Sequence, residues 1–214
     1  MRLYTYFRSS AAYRVRIALN LKGLEYEAVP VHLLRGGGEH RRPEYLELNP
    51  AGLVPALEDA GQVLTQSLAI IEYLDETHPQ VPLLPAGALE RARVRAIAQA
   101  TACDIHPLNN LRVLQYLGQT LGASEAQRNA WYRHWVELGL AAVEARLAGD
   151  ELTGAYCHGD RPGLADCCLV PQVFNARRFD CDLSAMPTVR GIVARCEELE
   201  AFRRAAPMAQ PDAE

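Results

Sequence analysis

The sequence predicts an α/β domain built on a mixed four-stranded sheet with helices, followed by an all-α domain. Three observations lead there. Apolar segments near the N-terminus run strand, helix, strand at the spacing of a parallel βαβ unit. Prolines cluster at Pro79, Pro82 and Pro85, the composition of a linker. Beyond them the strand signal fades and helical periodicity takes over. The expected boundaries are residues 1–80 for the first domain, 81–87 for the linker and 88–214 for the helical domain.

Each element has a local reason. Arg2 to Phe7 is rich in aromatic and branched residues and reads as a strand. Ser9 and Ser10 then precede an apolar-periodic run from Ala11 to Leu21, closed by Gly23. Serine before such a run is an N-cap signal and glycine after it a stop signal. Tyr26 to Leu33 reads as a second strand, and Arg35 to His40, with three glycines, as a mobile loop. That loop lacks the Gly-Lys-Ser/Thr of a phosphate cradle. Val54 to Glu58 and Gln62 to Thr65 flank Asp59-Ala60-Gly61 and read as a hairpin. Gln66 and Ser67 open a helix with Ile70, Ile71 and Leu74 on one face. In the second half, helical runs cover about 88–118, 124–148, 163–180 and 187–204. Pro107 and Pro171 are expected to kink or break their helices, because proline removes a backbone donor and crowds the preceding turn.

Composition narrows the function. With 214 residues, 49% hydrophobic and 22% charged, the chain is globular, and a net charge of −4 argues against nucleic acid as a partner. No apolar run approaches the ~20 residues that span a bilayer. The first residues, Met1-Arg2-Leu3-Tyr4, carry no secretory pattern, so the expected location is the cytoplasm. All six cysteines fall after residue 100, and none forms Cys-x-x-Cys. They are expected to be free thiols. Cys103 with His106 and Cys157 with His158 lack a partner pair at zinc spacing, so no metal is expected.

Four motifs carry a family resemblance over nearly the whole chain. Residues 6–19, Tyr-Phe-Arg-Ser-Ser-Ala-Ala-Tyr-Arg-Val-Arg-Ile-Ala-Leu, resemble the zeta-class signature Ser-Ser-Cys-x-Trp-Arg-Val-Arg-Ile-Ala-Leu of the glutathione transferases. Asn49-Pro50 through Val54-Pro55-Ala56-Leu57, and residues 66–74, Gln-Ser-Leu-Ala-Ile-Ile-Glu-Tyr-Leu, are similar to the wider superfamily. Residues 104–114, with His106-Pro107 and Asn109-Asn110, resemble bacterial zeta members. The resemblance implies a thioredoxin-like first domain, glutathione as cofactor, and a homodimer. It also implies cis–trans isomerisation of a maleyl dicarboxylate, most simply maleylacetoacetate to fumarylacetoacetate, with maleylpyruvate as the alternative substrate. Rival readings are a glutathione-conjugating transferase and a non-catalytic glutathione-fold adaptor. A glutaredoxin-like oxidoreductase would want a cysteine in the first domain.

The chemistry asks for particular residues. A thiol of pKa ~8.5 is mostly protonated at neutral pH, and only the thiolate attacks carbon. Ser9, Ser10 and Ala11 sit where helix N–H groups and a hydroxyl would favour a bound anion, although both serines also read as plain caps. Gln66 and Ser67 open the second such helix and would hold the γ-glutamyl carboxylate. By resemblance, Val54-Pro55 is a cis peptide whose valine pairs with the cysteinyl residue of glutathione, and His40 lies near the glycyl end. His106 and Asn110 are four apart, so they would share one helical face and complete the glutathione contacts. Arg8, Arg112 and Arg178 are the candidate guanidinium forks for a dianionic substrate, with Arg8 also beside the thiolate. Arg14 and Arg16 are expected to pack against neighbouring carboxylates. Three departures from the family pattern are present, one of them Tyr13 in place of tryptophan, which should pack similarly. Ala11 replaces the signature cysteine, and Gly163 stands where a capping box usually begins, with Asp166 retained.

Overall fold

The chain opens with β1, Arg2–Thr5, and closes its first βαβ unit with α1, Ser10–Leu21, and β2, Glu27–Pro30. A computed structural model describes all of residues 1–214. The remaining elements of the first half are α2 (Pro43–Leu48), β3 (Ala56–Asp59), β4 (Gln62–Thr65) and α3 (Ser67–Thr77). Strand order is β2-β1-β3-β4; β1 runs parallel to β2 and antiparallel to β3, and β4 closes the hairpin. This is the mixed sheet expected. The register sets Leu3 opposite Ala28 on one side and Leu57 on the other. Leu3 and Leu57 are fully buried, as are Val15, Ile17, Leu19, Ile70 and Leu74 from the two helices.

Three details of the first half differ from the sequence reading. The stretch between Leu33 and Val54 contains α2, which begins on Pro43, where proline's missing N–H costs nothing. Arg35–Gly37 and Glu39–Arg41 form two 3₁₀ turns rather than open loop. Arg16 does not seek carboxylates for its hydrogen bonds. Its guanidinium donates to the carbonyls of Tyr6, Phe7 and Ala205 and to the Thr5 hydroxyl, with Asp212 acting on it only through space. Fully buried carbonyls need donors, and one planar fork supplies several. Burial pushes the Arg16 pKa down to about 10, so it remains charged at neutral pH.

The chain divides into two compact units, one of Met1–Leu83 with Glu197–Glu214, the other of Leu84–Cys196. The return of the last residues to the first unit is a contact of α10 (Glu200–Ala205) with α1: Asn20 donates to the Ala201 carbonyl and Arg16 to that of Ala205. Lys22 pins the other end of α1. Its buried ammonium lies 2.9 Å from Asp75 and 2.9 Å from the His78 carbonyl, and bonds the Val81 carbonyl as well.

The second unit is helical: α4 (Ala88–Gln99), a π-helical segment (Ala100–Ile105), α5 (His106–Leu108), α6 (Leu111–Gln119), α7 (Glu125–Ala148), α8 (Leu164–Arg178) and α9 (Pro187–Glu198), the last residues of α9 crossing into the first unit. The expected long helix over 88–118 is interrupted at the π segment, before Pro107, and again at Asn109–Asn110. By contrast α8 continues through Pro171, buried with its neighbours from Leu164 to Val173. Asp166 caps α8 by accepting the Gly163 N–H at 2.9 Å, so half of a capping box survives without a hydroxyl at its start. Gly139 of α7 is required by close approach: a Cβ there would lie 2.3 Å from Ile105 of the π segment. All six cysteines are free thiols. No helix is long and apolar enough to cross a membrane.

Candidate active site

In the first unit the β1–α1 loop delivers Arg8, Ser9 and Ser10 to the start of a twelve-residue helix. Ser9 is extended (φ −68°, ψ 116°) and is the N-cap: its Oγ accepts the Ala12 N–H at 3.2 Å and its carbonyl accepts the Tyr13 N–H at 2.8 Å. An oxygen that accepts one N–H still carries its own O–H proton, which can point outward to an anion. Ser9 is half-buried, whereas Ser10 is 5% exposed within the helix. The cap and the thiolate donor are therefore compatible roles for Ser9. Arg8 is held by its own neighbours, donating to the Tyr6 hydroxyl at 3.0 Å with its guanidinium 4.8 Å from the Phe7 ring centroid.

The start of α3 makes a second anion-seeking corner. Gln66, its N-cap, adopts φ 68°, ψ 113°, a conformation unusual for a residue with a side chain. Ser67 follows at 6% exposure, and Arg14, itself 2% exposed, donates to the Ser67 Oγ at 3.3 Å. A buried guanidinium beside the positive end of a helix concentrates positive charge where a carboxylate could be held. Sequence reasoning assigned Arg14 to packing. The signal it passed over is an arginine one helical turn past Ser10, on the buried face of α1.

Between these corners lies the turn into β3. Val54–Pro55 is a cis peptide, and the β1–β3 ladder begins at Ala56, so the valine sits just outside it. On the other side of α2, His40 is half-buried, and its Nδ1 is sealed from solvent with no hydrogen-bond partner in the chain. Burial, aided by the neighbouring Arg41, holds the imidazole below its ordinary pKa, so it is neutral at neutral pH. Gly38 makes this possible: at φ 102° a Cβ would stand 2.4 Å from the His40 ring. The carboxylate-seeking corner, the capped α1 terminus and the orphaned His40 nitrogen suit a flexible acidic peptide with a thiol.

The second unit holds the remaining candidates. His106 opens α5, but Asn110 does not share its helical face. Asn109 ends α5 (φ −108°, ψ 10°), and Asn110 is the extended N-cap of α6, its Oδ1 accepting the Arg112 N–H at 3.1 Å. An asparagine side chain competes with the helix for backbone groups, and here that of Asn110 starts a new helix instead of continuing the old one. Arg112 is exposed in the first turn of α6, and Arg178 is exposed in the last turn of α8, 5.4 Å from the Phe179 ring. Phe179 stacks on Tyr132 with centroids 3.6 Å apart, which fixes the aromatic platform beside Arg178. Sequence reading also missed Asn109, which is 5% exposed with neither amide atom bonded within the chain.

Comparison with known proteins supplies the family. Residues 8–77 match the glutathione S-transferase N-terminal domain family. The chain is 54% identical over 211 residues to the probable maleylacetoacetate isomerase of Vibrio cholerae, covering 99% of this chain and 97% of that one. Among solved structures, a holo maleylpyruvate isomerase, described as a bacterial zeta-class glutathione S-transferase, superposes with a TM-score of 0.97 at 55% identity, covering both chains fully. The maleylacetoacetate isomerase of Methylobacterium extorquens AM1, solved with bound malonate and glutathione, gives 0.96 at 43% identity, again over 100% of each chain.

Proposed function

Since the chain belongs to the zeta-class glutathione transferases, we propose that it is a glutathione-dependent cis–trans isomerase of a maleyl dicarboxylate, converting maleylacetoacetate to fumarylacetoacetate. The observation that carries this reading is the pairing of two anion-seeking helix starts in one unit, one capped by Ser9 and the other backed by buried Arg14. A conjugating enzyme needs both corners, because both would hold glutathione; isomerisation is favoured over conjugation by the further guanidiniums Arg8, Arg112 and Arg178, candidate anchors for a dianion. The adaptor reading requires neither.

Residues 1–80 would hold glutathione and residues 88–214 the substrate. The γ-glutamyl carboxylate fits Gln66, Ser67 and Arg14; the Val54 backbone would pair with the cysteinyl residue; His40, His106 and Asn110 are the further candidate contacts. Bound glutathione supplies a thiolate that adds reversibly to the cis double bond and leaves after the new single bond has turned. The chain's own part is to make that cycle selective. The Ser9 hydroxyl, with Ser10 and the first-turn amides of α1 through Ala11, favours the ionised sulfur over the thiol. Arg8, adjacent in sequence, would offset the negative charge that builds on the substrate as its double bond is consumed. Arg112 and Arg178 would grip carboxylates, so that the substrate stays bound while it turns.

We also propose a homodimer, on the family resemblance alone, and a cytoplasmic location, as the sequence reading expects. A second substrate reading, maleylpyruvate, is favoured by the match at TM-score 0.97 to the holo maleylpyruvate isomerase. Direct assay of both compounds with a trace of glutathione decides between them. The larger kcat/KM is expected for maleylacetoacetate. A larger value for maleylpyruvate would move the substrate but keep the reaction; turnover of neither would remove the isomerase reading.

A further inference from the structure

The last residues of the chain end on the loop that carries the thiolate corner. After α10 comes a 3₁₀ turn at Pro207–Ala209, and the Gln210 amide donates back to the carbonyls of Arg204 at 2.8 Å and Ala206 at 3.0 Å. That staple aims the chain at β1. Asp212 then accepts the Phe7 N–H at 3.0 Å, and Ala213 packs against the buried cluster of Tyr6, Phe7, Val31, Tyr45 and Val54. The Phe7 carbonyl, meanwhile, accepts from Arg16 at 2.9 Å, and the same guanidinium donates to the Tyr6 carbonyl at 3.3 Å and the Ala205 carbonyl at 3.0 Å. Tyr6 O also accepts the Ser9 N–H at 2.9 Å. Phe7 is thus gripped on both its backbone groups, one from the tail and one from a buried arginine that is itself tied to α10. Ser9 hangs two residues further along.

We propose that Asp212 is a positioning residue for the thiolate site: by holding the Phe7 amide it fixes the direction in which the Ser9 hydroxyl and the first-turn amides of α1 are presented. The proposal rests on the reading of Ser9 given above. Its sign is distinctive. A carboxylate close to a bound sulfur repels the thiolate, so an electrostatic role would raise the thiol pKa, and removing the charge would lower it. A positioning role predicts the opposite. Losing the hydrogen bond lets the loop relax, the donors move off the sulfur, and the thiol pKa rises.

The experiment is a pH titration of bound glutathione by thiolate absorbance in the full chain, with kcat and KM measured alongside. Asp212→Ala should raise the bound thiol pKa by about one unit and lower kcat about tenfold, with KM for the dicarboxylate unchanged. Asp212→Asn keeps an acceptor oxygen without the charge and should stay within about twofold of the parent. Glu214→Gln, which loses the ion pair to Arg35 and alters the contact with the His32 ring further out on the tail, should behave like the parent. Should Asp212→Ala fail to fold, Asp212→Glu, which keeps the charge and displaces the acceptor, takes its place and should show the same rise. An Asp212→Ala protein, or Asp212→Glu in its place, with the parent's thiol pKa and kcat overturns the proposal, as does a joint fall in thiol pKa for Asp212→Ala and Asp212→Asn. A parent protein that leaves the bound thiol at its ordinary pKa overturns the Ser9 reading, and this proposal with it.

Discussion

Ser9→Ala is expected to lower kcat by about 10²-fold, the scale of removing one donor aimed at a developing or resident anion. The variant loses two things at once, because the Ser9 Oγ also accepts the Ala12 N–H. Loss of the cap costs about 1 kcal/mol of stability, and that can be read separately from the melting curve. The kinetic loss should fall on kcat with little change in KM for glutathione, since the contacts proposed for the peptide's carboxylate and backbone are at Gln66, Ser67, Arg14 and Val54. Ser9→Thr retains a hydroxyl on the same carbon and should recover much of the activity. Ser10 and the helix amides share the load, and redundant donors shrink single-site effects. A kcat for Ser9→Ala within about threefold of the parent would move the thiolate contact to those groups.

Lys22→Met should carry the largest cost in stability. The Lys22 side chain is 1% exposed and Asp75 is 9% exposed, with 2.9 Å between the charged atoms. The ammonium also serves the carbonyls of His78 and Val81, while the same Asp75 oxygen accepts the Leu83 N–H at 2.7 Å. One side chain thus ties the end of α1 to the end of α3 and to the residues that lead out of the first unit. Removing it leaves a buried carboxylate without its counter-charge and two carbonyls without a donor. A loss of about 3–5 kcal/mol is expected in denaturant unfolding, a large share of the ~5–15 kcal/mol that holds a typical domain together. Replacing both partners, Lys22→Met with Asp75→Leu, should recover a good part of it, because the uncompensated charge is gone. A single-variant loss below about 1 kcal/mol would show the pair to be solvated in practice.

The fold was legible where local signals were long or chemically sharp. The Ser9 cap, the run to Leu21 and the hairpin around Asp59-Ala60-Gly61 each follow from residue type and period, and the structure places them where expected. The misses have physical causes. α2 is six residues long, too short for a 3.6-residue period to show, and only Pro43 announces it. The His106–Asn110 pairing assumed an unbroken helix; it ends at Asn109, and Asn110 turns its side chain on the backbone to cap the next helix. Pro171 was expected to disturb α8, yet the surrounding buried residues keep the helix running past one missing donor. Least legible were long-range contacts. Nothing local marks Arg14 as the neighbour of Ser67, Arg16 as the clamp on Tyr6 and Phe7, or Asp212 as the partner of the Phe7 amide, 205 residues away. Resemblance named most of the candidate side chains; only the geometry says what holds them.

The central claim is that glutathione is a catalyst here and not a reactant. Mixing the protein with a large excess of maleylacetoacetate over glutathione, and following free thiol together with the trans product, tests it most directly. Many product molecules per glutathione, with the thiol concentration constant throughout, is the expected result. Thiol that disappears one for one with the substrate, leaving a stable thioether, would contradict the account and make the protein a conjugating transferase.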